Sequence, residues 1–187
     1  SFDSAKNPLT VRWRKSLAQM GTVVIGVEFS SETLRTENQP FPNGLNDCAA
    51  AVRWARDNKD QLGISSLIVI GESGGGNLAV ATAIKANIEG WIDAIDGVYA
   101  MAPMILGFYG GAPPSLMSWR ENLNYQGSLE MIRAMTKVYD PLDQHETNPM
   151  AWPFHANEDC LRGLPPHMIL NYELDLIRDD GVTYARN

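Results

Sequence analysis

The sequence lacks the features of a disulfide-rich, membrane-spanning or nucleic-acid-binding protein. Its 187 residues include only two cysteines, Cys48 and Cys160, so we expect free thiols in a reducing, cytoplasmic compartment. No apolar run approaches the ~18 residues that a membrane span needs. Acidic residues outnumber basic ones by 22 to 15, for a net charge of −7. Such a surface would repel nucleic acid and anionic lipid, so we expect neither as a partner.

Strand and helix patterns alternate along the chain, and hydrophobic residues make up 44% of it, which suits one domain with a sizeable core. Short apolar, β-branched runs predict buried strands at 22–29, 67–70, 97–102 and 167–171. Apolar residues at helical spacing predict helices at 9–20, 45–58, 76–86, 128–138 and from about residue 180. This alternation predicts an α/β domain over residues 1–187, with a mostly parallel sheet flanked by helices.

The strongest chemical signal is a glycine-rich turn, Gly-Glu-Ser-Gly-Gly-Gly-Asn at 71–77. It fits G-x-S-x-G and lies between a predicted strand and a predicted helix. Such a tight turn pushes Ser73 towards unfavourable backbone angles, and Gly71 and Gly75 leave room for the neighbouring backbone. Ser73 then stands free at a helix N-terminus as a predicted nucleophile, and the N–H of Gly74 can donate to an oxyanion.

The alternative for this turn is phosphate binding or simple packing. No Gly-Lys-[Ser/Thr] follows it, which excludes a P-loop. Its glycines are also wrongly spaced for the dinucleotide pattern G-x-G-x-x-G, so we favour the nucleophile.

The predicted acid is Asp175, just beyond the strand that ends at residue 171. In the α/β-hydrolase order the acid follows the serine, at the same edge of the sheet. Asp179 and Asp180 are rivals, although acidic residues are also typical of the first turn of a helix. A turn-forming role for Asp175 is the alternative.

The general base is the difficulty, because none of the three histidines is well placed. His167 opens the last predicted strand, roughly 13 Å from the strand's far end at about 3.3 Å per residue. His145 and His155 lie between the third and fourth strands, where we expect surface or packing roles. An acidic group surrounds the first of them, namely Asp140, Asp143 and Glu146. We interpret this group as a solvated loop rather than a metal site.

Several motifs resemble those of the hormone-sensitive-lipase-like carboxylesterases. The resemblance covers nearly the whole chain, and the acid motif departs from the family with Leu176 and Ile177 where Pro and Leu are usual. The segments that carry it are 71–79 for the nucleophile, 40–48 before it, 173–181 for the acid, and also 93–100 and 162–166.

The resemblance implies an α/β-hydrolase fold and cofactor-free hydrolysis of a small or apolar ester or lactone, with Ser73 as nucleophile and Asp175 as acid. In that family, the His-Gly-Gly-Gly oxyanion segment would precede Ser1 and the catalytic histidine would follow Asn187. We therefore expect a piece of a larger hydrolase, with a sheet incomplete at both ends. Exposed strand edges would then favour association into a homo-oligomer.

Two other activities remain open from the sequence. One is a non-catalytic binder of small molecules, since the family resembles plant hormone receptors that keep the pocket and lose the triad. The other is acyl transfer or peptide hydrolysis by the same nucleophile.

The long segment between the third and fourth strands, 103–166, is expected to cover the site. An acyl or alcohol pocket is one interpretation of its apolar residues, since methionine adapts to irregular apolar ligands. Ordinary core packing is the equal alternative. The candidates are Met101, Met104, Phe108, Tyr109, Met117 and Trp119.

Overall fold

A computed structural model describes residues 7–30 and 40–187. The strands are β1 (Ile68–Glu72), β2 (Gly97–Met101) and β3 (His167–Leu170). The α-helices are α1 (Pro8–Gln19), α2 (Asn43–Asp57), α3 (Lys59–Leu62), α4 (Gly74–Ile88), α5 (Ser118–Glu121), α6 (Leu129–Tyr139), α7 (Glu158–Leu161) and α8 (Arg178–Tyr184). Two short 3-10 helices span Ile92–Ala94 and Pro153–His155.

The three strands form one parallel sheet in the order β1-β2-β3. The connection from β1 to β2 runs through α4, and the connection from β2 to β3 is the long segment that contains α5, α6 and α7. Because all strands point the same way, their carboxyl ends meet at one edge of the sheet. The predicted α/β fold with parallel strands and flanking helices is confirmed.

Helix α4 packs on one face of the sheet. Its small residues Ala79 and Ala83 are buried in the same apolar cluster as residues of β2, and they let the helix approach the strands closely. Val98 and Ala100 of β2 are buried on that face. A second apolar cluster surrounds Trp119 and Trp152 and joins the segment between β2 and β3 to the helical layer.

The opposite face of the sheet is open among the described residues. Ile70, Tyr99 and Met168 are neighbours across the three strands on this face. Ile70 is 38% exposed and Met168 66% exposed. The strands were expected to be buried on both faces, and within the described ranges only one face is covered.

The strand predicted at 22–29 is wrong. Residues 22–30 have no regular secondary structure, and Val23 and Ile25 are largely exposed. A strand needs a partner for its N–H and C=O groups, and in residues 7–30 and 40–187 this run pairs with none of the three strands. A β-branched composition alone therefore does not make this run a strand. The loop predicted at 30–43 falls largely outside the described residues.

The five predicted helices are present as α1, α2, α4, α6 and α8 with shifted boundaries, whereas the short helices α3, α5 and α7 were not predicted. Helix α4 begins at Gly74 rather than residue 76, because Ser73 is its N-cap. Helix α6 begins after Ser128, whose hydroxyl accepts a hydrogen bond from the N–H of Met131.

Truncating the core face of α4 should cost far more stability than truncating its exposed end. Ile84 is fully buried and Ile88 is 53% exposed on the same helix. We expect Ile84→Ala to lower the free energy of unfolding by about 2–5 kcal/mol through lost burial and a cavity. Ile88→Ala should change it by only about 0.5 kcal/mol. Urea unfolding measures both, and equal losses would contradict this packing.

Candidate active site

Ser73 lies in a strained turn between β1 and α4. Its backbone has φ 55° and ψ −117°, in the left-handed half of the map that residues with a side chain rarely adopt. Three hydrogen bonds hold it there: its N–H donates to the carbonyl of Met101 at 2.9 Å, and its carbonyl accepts from the N–H groups of Asn77 at 3.0 Å and Met104 at 3.1 Å. The surrounding backbone thus offsets the strain at this one residue.

Gly71 is the glycine that the turn requires on steric grounds. A Cβ there would lie 2.0 Å from the carbonyl oxygen of Gly75, because the start of α4 folds directly over the end of β1. A Cβ at Gly75 would meet no atom of the described residues within 4 Å. The two glycines therefore differ: Gly71 must lack a side chain, whereas Gly75 supplies the backbone that needs the space.

Gly74 is the first residue of α4. The first N–H groups of a helix have no acceptor within the helix and point beyond its N-terminus, towards the side where Ser73 lies. This placement is compatible with an oxyanion donor, and that role stays a prediction.

Ser73 and Asp175 line the same cavity, of about 170 Å³. They are distant in sequence but come together because β1 and β3 end at the same edge of the sheet. The other residues that line it are Glu72, Ala102, Gln126, Gly127, Met131, Ile132, Met135, Tyr172, Leu176 and Ile177.

The Asp175 carboxyl group is half-buried and held by the backbone that follows it. Its Oδ1 accepts from the N–H of Ile177 at 3.1 Å. Burial raises the pKa of Asp175 above its ordinary value, and the hydrogen bonds from the N–H groups of Ile177 and Leu176 offset only part of that rise. The anionic form is thus oriented but incompletely stabilised.

The rival carboxylates lie in the first turn of α8 and have other partners. Asp179 accepts from the N–H of Ser118 at 2.9 Å and pairs with Arg178. Asp180 is fully buried, and its Oδ1 accepts from the indole N–H of Trp119 at 2.6 Å. Neither lines the cavity beside Ser73.

None of the three histidines of the chain, all within the described residues, lines this cavity. His167 opens β3, with its Nδ1 2.7 Å from the carbonyl oxygen of Pro165. His145 packs against the ring of Phe41, and His155 against that of Phe154. The base expected from the mechanism is thus not among the residues around Ser73.

The apolar residues predicted for a pocket lie elsewhere. Met104 and Trp119 are buried in the second apolar cluster, and Phe108 stacks on Trp119 with ring centroids 5.5 Å apart. Met117 is 43% exposed. None of these four lines the cavity beside Ser73, so their role in a pocket stays a prediction.

Helix α6 supplies the apolar wall of the cavity instead, through Met131, Ile132 and Met135. These three residues were not among the predicted pocket residues. The available signal was the spacing of Met131 and Met135, four residues apart on one face of a predicted helix that follows an irregular apolar segment.

The acidic loop around His145 is bound to the protein itself. Asp140 accepts from the hydroxyl of Tyr109 at 2.7 Å and from the N–H of His145 at 2.8 Å, and Asp143 pairs with Lys137. In residues 7–30 and 40–187, no three His, Cys, Asp or Glu side chains are grouped as metal ligands would be. Helices in the same ranges are all too short or too polar to cross a membrane.

Residues 10–187 match the family described as the alpha/beta hydrolase fold. The structure of brefeldin A esterase, described as a bacterial homologue of human hormone sensitive lipase, is similar with a TM-score of 0.93. It is 42% identical, over 98% of this chain and 52% of that chain.

Two curated relatives are similar in sequence. An arylesterase of Saccharolobus solfataricus is 31% identical over 148 residues, which is 78% of this chain and 46% of the relative. Carboxylesterase NlhH of Mycobacterium tuberculosis is 32% identical over 150 residues, which is 78% of this chain and 45% of the relative. The chain spans about half the length of the curated relatives it matches.

A methyl group at Gly71 should disrupt the serine turn, whereas one at Gly75 should not. We expect Gly71→Ala to lower the free energy of unfolding by more than about 2 kcal/mol, because the added Cβ collides with backbone atoms. Gly75→Ala should leave it unchanged or raise it by up to about 1 kcal/mol, since alanine favours the helix. Chemical denaturation compares the two, and tolerance of Ala at position 71 would contradict the close approach.

The neighbouring Asp179 and Asp180 should affect stability with opposite dependence on pH. Burial raises the pKa of Asp180 well above its ordinary value of 3.8. Its contribution is therefore present below pH 3.8 and is lost as pH rises through the raised pKa. Burial also acts on Asp179, but hydrogen bonds from Arg178 and Ser118 outweigh it and lower the pKa. Its contribution is present above pH 3.8 and is lost as pH falls.

The measurement is the unfolding free energy of Asp180→Asn and Asp179→Asn relative to wild type, from about pH 3 to about pH 8. Relative to wild type, Asp180→Asn should gain stability as pH rises, because it removes a buried charge and keeps an acceptor for Trp119. Asp179→Asn should be less stable than wild type near neutral pH, and this deficit should shrink as pH falls below 3.8. Parallel curves for the two variants would refute the assignment.

Proposed function

This chain belongs to the alpha/beta hydrolase fold family, and we propose that it carries the nucleophile and the acid of a serine carboxylester hydrolase. The resemblance to the hormone-sensitive-lipase-like carboxylesterases is confirmed by its relatives, which are named esterases. The observation that most supports a serine mechanism is the turn at Ser73. Its backbone is held at φ 55° over the cavity that Asp175 also lines.

In the proposed reaction, the Ser73 Oγ attacks the ester carbonyl carbon and its proton passes to a general base. The resulting oxyanion accepts a hydrogen bond from the N–H of Gly74. Collapse of the tetrahedral intermediate expels the alcohol, which takes the proton from the base. Water then attacks the acyl-serine by the same route and releases the carboxylic acid. No cofactor enters these steps.

The base in this proposal is an imidazole that the Asp175 carboxylate orients and stabilises in its protonated form. None of the three histidines of this sequence lines the cavity, so we propose that none of them supplies the imidazole.

We propose a small or apolar ester or lactone as the substrate. Its volume of about 170 Å³ is below the roughly 300 Å³ at which ligand pockets usually begin. Met131, Ile132 and Met135 of α6 supply flexible apolar surface to one side of Ser73. We propose that a short acyl or alcohol group lies against these side chains.

A non-catalytic binder of the same fold is the second candidate. The observation in its favour is that no histidine lines the cavity. The strained backbone at Ser73 favours catalysis, because residues held in such rare conformations are found mostly at active sites.

Replacing the nucleophile provides the first test of the proposal. We expect Ser73→Ala to lower hydrolysis of a short p-nitrophenyl ester by the intact protein at least about 10³-fold. The matched control is Ser66→Ala, an exposed serine before the opposite end of β1, which should hydrolyse the ester at the wild-type rate.

Two results would count against the proposal in different ways. Equal hydrolysis by wild type and Ser73→Ala would exclude Ser73 as nucleophile. Absence of hydrolysis in both, together with binding of the ester by both, would favour the binder.

A further inference from the structure

Helix α5 and the residue after it make unusual contacts with the segment that carries the acid. We call residues 171–177, between β3 and α8, the acid loop. Asn122 follows α5 directly and is 5% exposed. Its side-chain Nδ2 donates to two carbonyl oxygens of the acid loop, those of Glu173 and Asp175, at 2.9 Å each.

Ser118, at the start of α5, holds the other end of the same loop. It is fully buried, and its hydroxyl donates to the carbonyl of Leu176 at 2.9 Å. The same hydroxyl accepts from the N–H of Asp179 at 3.1 Å. Two polar side chains of α5 and its end thus bind the backbone on both sides of the Asp175 carboxyl group.

The two ends of the acid loop differ in their support. Leu176 and Ile177 are buried in the second apolar cluster, whereas residues 171–175 have no helix or strand, and the side chains of Tyr172 and Leu174 are 37% and 49% exposed. The part of the loop before Leu176 therefore depends most on the bonds from Asn122. The carbonyl of Asp175 also accepts from the N–H of Arg178 at 3.3 Å, a long hydrogen bond. The two bonds from Asn122 are shorter and come from a buried side chain, so they restrain the loop more strongly.

We propose that Asn122 is a positioning residue that fixes the Asp175 carboxylate by holding the main chain of the acid loop. The role of Asp175 in this statement rests on the proposed function. Asn122 does not line the cavity beside Ser73. It acts through the backbone of residues 173 and 175, and Ser118 completes the restraint at Leu176.

The chain contains a matched control for the chemistry of Asn122. Asn87 of α4 also donates its Nδ2 to two carbonyl oxygens, those of Cys160 at 3.1 Å and Arg162 at 2.9 Å. These acceptors lie around α7 and do not line the cavity. Leucine is close to asparagine in size and has no donor, so Asn122→Leu and Asn87→Leu remove the same bonds at two places.

The first measurement is amide hydrogen exchange, which needs no activity. The N–H groups of Leu176 and Ile177 bond to the Asp175 carboxyl group, so their exchange reports its position. We expect Asn122→Leu to speed their exchange about tenfold or more relative to Asn87→Leu. Equal exchange in the two variants would overturn the proposal. If Asn122→Leu does not fold, Asn122→Ser, which keeps one hydroxyl donor, replaces it with the same expectation.

The second measurement is ester hydrolysis by the intact protein. We expect kcat to fall about tenfold to a hundredfold in Asn122→Leu, with KM nearly unchanged, because the acid is displaced and the cavity remains. The acid limb of kcat/KM should move to lower pH, since a displaced carboxylate raises the pKa of the base less. Asn122→Gln, which keeps the amide, should recover part of kcat.

The outcomes separate this inference from the proposed function. Faster exchange with an unchanged kcat, in a protein whose hydrolysis depends on Ser73, would overturn the positioning role. Hydrolysis that is absent or independent of Ser73 would overturn the proposed function, and with it the catalytic meaning of Asn122. Exchange at Leu176 and Ile177 would then still decide whether Asn122 holds the loop.

Discussion

The structure depends most on one backbone conformation, that of Ser73. Its positive φ lets the chain turn from β1 into α4 within a single residue. So tight a turn requires a residue without a side chain at Gly71, beneath the start of the helix. The same turn is tied to β2 through Met101 and to the following loop through Met104. The strain is local, but the parallel sheet and the close packing of α4 maintain it. The position of Ser73 therefore depends on the packing of α4 against the sheet.

The sequence predicts this part of the molecule well for a physical reason. A glycine-rich turn between a β-branched run and a small-residue helix admits few conformations, and Ser73 lies in the one expected. The position of Asp175 near Ser73 follows from the order of the strands, because parallel strands place their carboxyl ends at one edge. Residues 73 and 175 line one cavity, as the order of the strands predicts.

The errors arise where the answer depends on partners rather than on local pattern. Residues 22–29 have strand propensity but no neighbour to pair with in the described ranges. Trp119 and Met104 are buried in the second apolar cluster and not beside Ser73, so their predicted role in a pocket stays a prediction. No sequence pattern predicts the role of Asn122. A single asparagine in an irregular segment can be interpreted only once the carbonyl groups to which it donates are known.

Three carboxylates lie within six residues, and their surroundings make only one suitable as the acid of the proposed mechanism. Asp179 already has a cation in Arg178, and Asp180 is buried against Trp119 with no opening to the cavity. Asp175 faces the cavity with a raised pKa, so its negative charge is incompletely stabilised. A protonated base beside it would lower that pKa, and by the same interaction the carboxylate would raise the pKa of the base. An ionised Asp175 beside an imidazole would therefore make that imidazole a stronger base.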